Sequence, residues 1–138
     1  MTTNIYILED HPLIRNLLYE FINKLPGIKV CGTASKAQEA LDQLPNLTVD
    51  LAFIDLSLPD MNGIDFLRIL RFSQPNLRCI ILSSHSDHWY VQQTFTIGAR
   101  GYMVKSNPHE ITEAIQQVLI GKLYLSHELR AKFPNLNQ

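Results

Sequence analysis

The stretch Ala52-Phe-Ile-Asp-Leu-Ser-Leu-Pro-Asp-Met-Asn-Gly63 decides the fold. An apolar run from Leu51 to Ile54 ends on one carboxylate, Asp55, and a loop holding Pro59 and Gly63 leads to an apolar-periodic segment at Ile64. An apolar run bounded by turn residues reads as a buried strand, and in open α/β sheets ligands sit at the carboxyl ends of strands. Asp55 therefore falls at the mouth of the fold. A second run, Ile5-Tyr-Ile-Leu8, ends on Glu9 and Asp10. Carboxylates gathered at one edge repel unless a cation joins them, so the pattern predicts a divalent-metal site with Asp55 as the reacting group.

Outward from that stretch, strands and helices alternate. Residues 4–9 read as the first strand. Pro12 opens a helix with Ile14, Leu17, Leu18, Phe21, Ile22 and Leu25 as its apolar face, and Pro26-Gly27 stops it. Ile28 to Thr33 reads as an edge strand. Ser35-Lys-Ala-Gln38 has the form of a capping box before a helix that faces Ala37, Ala40, Leu41 and Leu44 inward. The third strand runs from about Asp50 to Asp55 and the third helix from Ile64 to Phe72. Arg78 to Ser83 is a strand buried on both faces, and a weaker helical pattern covers Asp87 to Ile97, with Val91 and Phe95 inward and Trp89 and Tyr90 toward the surface. Gly98-Ala-Arg-Gly101 turns into a short strand, Tyr102 to Val104, ending at Lys105. Asn107-Pro-His-Glu110 reads as the start of a last helix carrying Ile111, Ala114, Ile115, Val118 and Leu119, closed by Gly121. Five alternations are the rhythm of a parallel sheet covered by helices on both faces. Residues 127–138 read as the start of a linker or a short C-terminal tail, with a short helix over Ser126 to Phe133.

A chain of 138 residues fits one domain. A net charge of −1 gives no prior for nucleic acid or acidic membrane as a general partner. No apolar stretch reaches membrane-span length and no signal-peptide pattern opens the chain, so a cytoplasmic protein is expected. Cys31 and Cys79 lie in strand-like runs and read as core thiols rather than a disulfide or zinc pair. His11, His85, His88, His109 and His127 are scattered, which argues against a histidine metal site.

Four strand ends carry polar groups: Glu9 with Asp10, Asp55, Ser83 and Lys105. Three acids suit Mg²⁺, which prefers oxygen ligands, whereas a lysine and a hydroxyl suit phosphoryl oxygens. The first strand-to-helix turn is Glu-Asp-His-Pro, acidic where a phosphate cradle needs glycines, and neither glycine-rich nucleotide motif occurs.

These blocks resemble the receiver domain of bacterial two-component response regulators, above all the NarL/FixJ type, in which the receiver precedes a helix-turn-helix domain. The resemblance lies in Glu9-Asp10, in Asp55 with Pro59 and Gly63, in Ser83-Ser84, and in Gly98-Ala-Arg-Gly-Tyr-Met-Val-Lys105. Asp10-His-Pro-Leu-Ile-Arg15 and Gly121-Lys-Leu-Tyr-Leu-Ser126 extend it, so that residues 1–126 are expected to form the receiver. Glu9 stands where the family often has Asp, and Ser106 where this type often has Asp.

The resemblance implies a doubly wound five-stranded parallel sheet of order 2-1-3-4-5 with five helices, the flavodoxin-like or CheY-like fold. It implies that Asp55 takes a phosphoryl group from a sensor histidine kinase or phosphotransfer protein. Mg²⁺ would be held by Asp10, Asp55 and the Ser57 backbone carbonyl, with Glu9 acting through water. Lys105 would pair with phosphoryl oxygens, Ser83 would donate to the new phosphate, and Tyr102 would turn inward to alter the face made by helix 4, strand 5 and helix 5. The chain would catalyse its own phosphorylation and dephosphorylation rather than turn over a separate substrate. Homodimerisation on activation and control of an attached DNA-binding domain are further expectations. With no recognition helix or basic stripe, these residues would not themselves bind DNA. The alternatives are a stand-alone receiver that signals by docking, and a phosphohydrolase with an Asp nucleophile, for which the short loops leave no cap.

Overall fold

The computed structural model describes residues 2–85, 87–105 and 108–134. The expectations placed on Ser106 and Asn107, a departure from the family pattern and a helix cap, lie outside the described residues. The elements alternate as β1 (Thr3–Leu8), α1 (Pro12–Asn23), β2 (Ile28–Ala34), α2 (Ala37–Gln43), β3 (Leu51–Asp55), α3 (Gly63–Ser73), β4 (Arg78–Ser83), α4 (His88–Ile97), β5 (Gly101–Val104), α5 (Ile111–Leu119) and β6 (Tyr124–Leu125). A 3-10 turn over His127–Lys132 follows. All strands pair in parallel, in the order β2-β1-β3-β4-β5-β6.

Strand alternation divides the core in two. Ile5, Ile7, Leu51, Phe53, Ile80, Leu82 and Met103 face α1 and α5, while Tyr6, Leu8, Ala52, Ile54, Ile81, Tyr102 and Val104 face the α2, α3 and α4 side. Nearly all of these side chains are removed from water, each contributing on the order of 1.5–3 kcal/mol of burial. Parallel strands buried on both faces explain why the sequence shows continuous apolar runs instead of alternation.

The sheet has six strands where five were expected. Tyr124 and Leu125 pair with Gly101 and Tyr102 and extend the edge beyond β5. Two residues make too short an apolar run to register as a strand; a partner from far along the chain defines it.

Three other expectations are corrected. Leu17 and Phe21 are 60% and 44% exposed, although they share the apolar arc of α1. Ile14, Leu18, Ile22 and Leu25 already fill the contact with the sheet, and the arc is wider than that contact. The expected capping box does not form. α2 begins at Ala37, Lys36 at its cap makes no side-chain bond, and the Ser35 N–H donates to Glu39 (2.9 Å) instead. The free N–H groups of α2 are met from a distance, by the Asp60 carboxylate, which accepts from Ala37 (2.9 Å) and Gln38 (3.0 Å). Finally, the segment after Ser126 folds onto the body as a 3-10 turn rather than an α-helix, burying Leu129 and Phe133.

Candidate functional site

Register sets the site. β1 and β3 pair Leu8 with Ile54, so Glu9 falls level with Asp55; β4 and β5 pair Ser83 with Val104, so Lys105 emerges one residue on. The Lys105 N–H donates to the Ser83 carbonyl (3.0 Å) and the Glu9 N–H to the Ala34 carbonyl (3.0 Å), carrying the strand geometry one step past each end. Four strands thus deliver their polar ends to one edge.

The loop after Asp55 is clamped at both sides. Asn62 caps α3 by accepting from the Ile64 and Asp65 N–H groups (2.9 and 3.1 Å), while Asp60 caps α2. At Gly63 a Cβ would lie 2.2 Å from the Leu56 carbonyl oxygen, so only glycine lets α3 start this close to the strand that carries Asp55. Sequence reading found Gly63 but missed Asp60 and Asn62. An Asn just before an apolar-periodic helix was the available signal for the second; for Asp60, bonded to residues more than twenty positions away, there was none.

Asp55 is fully buried. One carboxylate oxygen accepts from the Ser57 N–H (2.9 Å) and the other from Lys105 Nζ (3.1 Å). Lys105 also donates to Glu9 Oε2 (3.2 Å) and lies 3.0 Å from Oε1, which receives no directed hydrogen bond although it is buried. The Glu9 Oε2 atom also accepts from the His11 N–H (3.1 Å), and Arg15 holds the Glu9 carbonyl (3.0 Å). Asp10 completes the group. Carboxylate oxygens of Glu9, Asp10 and Asp55 lie within 4.8 Å of one another.

Three acids against one lysine leave this cluster short of positive charge. Burial, then the hydrogen-bonded carboxyl of Asp10 and the charge of Glu9, push Asp55 up to about 7, against the pull of the Ser57 N–H. For Asp10, burial acts upward but is outweighed by hydrogen bonds to Asp55 and Glu9, and its acidity is strengthened. Without a cation, Asp55 keeps its proton to higher pH than an ordinary carboxylate. Burial would weaken the charge on Lys105, yet its bonds to Glu9 and Asp55 prevail and raise its pKa.

Ser83 is buried beside this group, and its Oγ accepts from the His85 N–H (3.0 Å). Tyr102 is fully buried and its hydroxyl donates to the His85 carbonyl (2.7 Å), while burial raises its pKa to about 12, so it stays neutral. The inward position expected only after phosphorylation is the one the ring occupies here. His85 has an exposed side chain but a backbone that joins Ser83 to Tyr102. Trp89 is exposed, as expected, whereas Tyr90 is half-buried and packs against the His85 ring at 4.9 Å.

The sheet and its polar edge define a class: flavodoxin-like α/β domains that gather carboxylates, a hydroxyl and a lysine at the carboxyl ends of their strands. Residues 5–116 match the response regulator receiver domain family. The chain belongs to that family. It is 32% identical over 92% of its length to the DNA-binding transcriptional activator DevR/DosR of Mycobacterium tuberculosis. It is 36% identical over 91% of its length to the glycerol metabolism activator of Pseudomonas putida, and 31% over 91% to the nitrate/nitrite response regulator protein NarL of Escherichia coli. These matches cover 58–59% of the relatives' own lengths. Among solved structures, a LuxR-family two-component response regulator from Aurantimonas sp. SI85-9A1 superposes with a TM-score of 0.90 at 30% identity, covering 97% of this chain and 96% of that one. The RcsB receiver of Salmonella enterica serovar Typhimurium has the same fold, with a TM-score of 0.89 at 19% identity over 95% of this chain and 98% of that one.

Proposed function

We propose that Asp55 accepts a phosphoryl group from a phosphohistidine on a partner kinase and that the resulting charge resets the surface around α4 and β5. The observation that carries this reading is the buried Asp55 carboxylate held between the Ser57 N–H and Lys105, beside two further acids. An Asp55 oxygen attacks phosphorus while the P–N bond breaks, and the electron pair leaves with the imidazole, which takes up a proton. Lys105, anchored by Glu9, neutralises charge on the phosphoryl oxygens as they arrive. Hydrolysis of the aspartyl phosphate, with water entering in line, would return the carboxylate.

The donor set fits a divalent cation. Three clustered carboxylates, with a buried Glu9 Oε1 that pairs with Lys105 but receives no directed hydrogen bond, are what a hard cation with oxygen ligands requires, and the excess negative charge at this edge calls for one. Asp10, Asp55 and the Ser57 carbonyl would hold Mg²⁺, with Glu9 reaching it through water. When bound, the ion offsets the repulsion between an anionic nucleophile and an anionic donor.

Ser83 would report the change. Its Oγ accepts from the His85 N–H, and the hydroxyl can in turn donate to a phosphoryl group on Asp55. A pull on Ser83 reaches His85, whose carbonyl holds Tyr102, and so reaches the packing of β5 against α4. A partner has an apolar surface at hand: Leu13, Leu17 and Phe21 are exposed on α1, beside a groove of about 480 Å³ that reaches Lys105. Two relatives bear the names of activators, one of them of DNA-binding transcription, and the switched face would by analogy control such an output in the cytoplasm.

Incubation with Mg²⁺ and acetyl phosphate followed by intact-mass measurement tests the reading. One added phosphoryl mass is expected, absent without Mg²⁺ and absent in Asp55→Asn. An unchanged mass, or labelling kept by the variant, overturns it.

A further inference from the structure

We infer that a cleft between α4 and the C-terminal 3-10 turn, with its floor toward the amino ends of β4 and β5, binds a small multivalent phosphate-bearing anion. The cleft has a volume of about 830 Å³, and its lining shares no residue with the Asp55 cluster. Arg71, Arg78, Arg100 and Lys132 line it, His88 and Phe133 stack where α4 meets the tail (centroids 4.5 Å apart, planes at 15°), and among the described residues no carboxylate contributes to its walls.

That concentration of one sign is local. The chain as a whole carries a net charge of −1, yet four formal positive charges face this one concavity. None of the four makes a salt bridge among the described residues. Like charges held together in a cleft focus the potential and raise the local concentration of counter-ions.

Arg71 is held through its side chain and Arg100 through its backbone. Arg71 donates to the Pro75 carbonyl and passes over Gly98, where a Cβ would lie 2.7 Å from its Nε. Gly98 has φ +124°, so both the space and the backbone conformation exclude a side chain there. Arg100 is fixed through its backbone, its N–H donating to Cys79 and its carbonyl accepting from Tyr124 (both 2.9 Å). A guanidinium presents a planar fork of donors that suits phosphate oxygens, and several such forks in the walls of one cleft favour an anion with several such groups.

Shape argues for a small ligand over a macromolecule. The tail walls the cleft on one side, and its volume lies in the range of ligand pockets, roughly 300–1,000 Å³. A nucleic-acid face would instead show an extended basic stripe.

Calorimetric titration of the full chain in EDTA with inorganic tripolyphosphate tests the inference. Saturable one-to-one binding is expected, with affinity at least tenfold lower in Arg78→Gln/Arg100→Gln, at least tenfold lower for orthophosphate, and unchanged in Asp55→Asn. That last variant separates this site from the phosphoacceptor. If the double variant melts early, Arg100→Glu, at an exposed position, gives the same reading alone. Absence of saturable binding, equal affinity in the arginine variants, or equal affinity for orthophosphate overturns the inference. Tighter binding of duplex DNA or an acidic peptide through the same arginines also overturns it, in favour of a macromolecular partner.

Discussion

The two edges of the sheet carry opposite charges and are built differently. At the carboxyl edge Glu9, Asp10 and Asp55 surround one cation, Lys105, which bonds to two of them. Toward the amino edge Arg71, Arg78, Arg100 and Lys132 share a cleft with no acid in its walls among the described residues. The acidic cluster is buried and partly neutralised from within; the basic one borders open solvent. Burial is what makes the difference costly. A buried like-charge pair must find a counter-ion or a proton, whereas exposed charges are screened by water and salt. The acidic edge should therefore respond strongly to the loss of a single group, and the basic edge hardly at all until a ligand arrives.

Lys105→Met breaks the comparison hardest. It removes the cation that pairs with two fully buried carboxylates, a change that typically costs about 3–5 kcal/mol. In EDTA at pH 8 the urea midpoint should fall by the equivalent of about 3 kcal/mol, and labelling by acetyl phosphate should drop at least tenfold. Part of the stability should return below pH 7, where the carboxyls can take up protons instead. A variant as stable as the parent at pH 8 would mean that Lys105 does not serve as the internal counter-ion.

The proton on Asp55 supplies the next test. Its folded pKa, about 7 with burial as the first cause, lies above the ordinary carboxylate value. Between the two values the folded state binds more protons than the unfolded state, so stability falls as pH rises through that window. The metal-free protein should melt several degrees lower at pH 8 than at pH 5.5 on account of this group, and millimolar Mg²⁺ should reverse the loss at pH 8. Asp55→Asn should flatten the pH dependence and remove most of the Mg²⁺ response. The difference between parent and variant is the quantity to measure. Equal slopes would show that the cluster does not hold its proton on Asp55.

These contrasts also explain what could be read from the chain alone. Asp55, Glu9, Asp10, Ser83 and Lys105 were legible because each interrupts an apolar run at the point where a strand stops, a local signal. The strands were legible for the same reason. Less visible were features whose partner lies far along the sequence. Asp60 acquires meaning only through the N–H groups of Ala37 and Gln38. Ser126 does so only by accepting from the Val104 N–H (2.8 Å). Glu110, read as a helix-start acid, is buried and accepts from the Tyr124 hydroxyl (2.7 Å) and the His127 N–H (2.9 Å), joining the start of α5 to the sixth strand and the tail. The basic cleft was invisible for a related reason. Its four cations are spread between positions 71 and 132, and only the folding of α4 and the tail around the sheet edge assembles them. Periodicity misled at Leu17 and Phe21, where an apolar arc continues beyond the packed face; those residues serve a surface, and hydrophobicity alone does not distinguish surface from core.

The smallest effect is the sharpest check on the comparison. Arg78→Gln/Arg100→Gln removes two positive charges that make no ion pair among the described residues and lie next to two more. Surface substitutions that break no contact usually change stability by less than about 0.5 kcal/mol. Here the sign should be favourable, because repulsion is relieved, and the gain should shrink as salt rises and the screening length falls toward the spacing of the charges. A melting temperature raised slightly at low salt and matched to the parent at high salt is the expected pattern. If the double variant instead loses more than about 1 kcal/mol at every salt concentration, the two arginines hold the fold together through their stems or donors. The amino edge would then resemble the carboxyl edge, with charges already engaged, and the contrast between an internally balanced edge and an unbalanced one would fail.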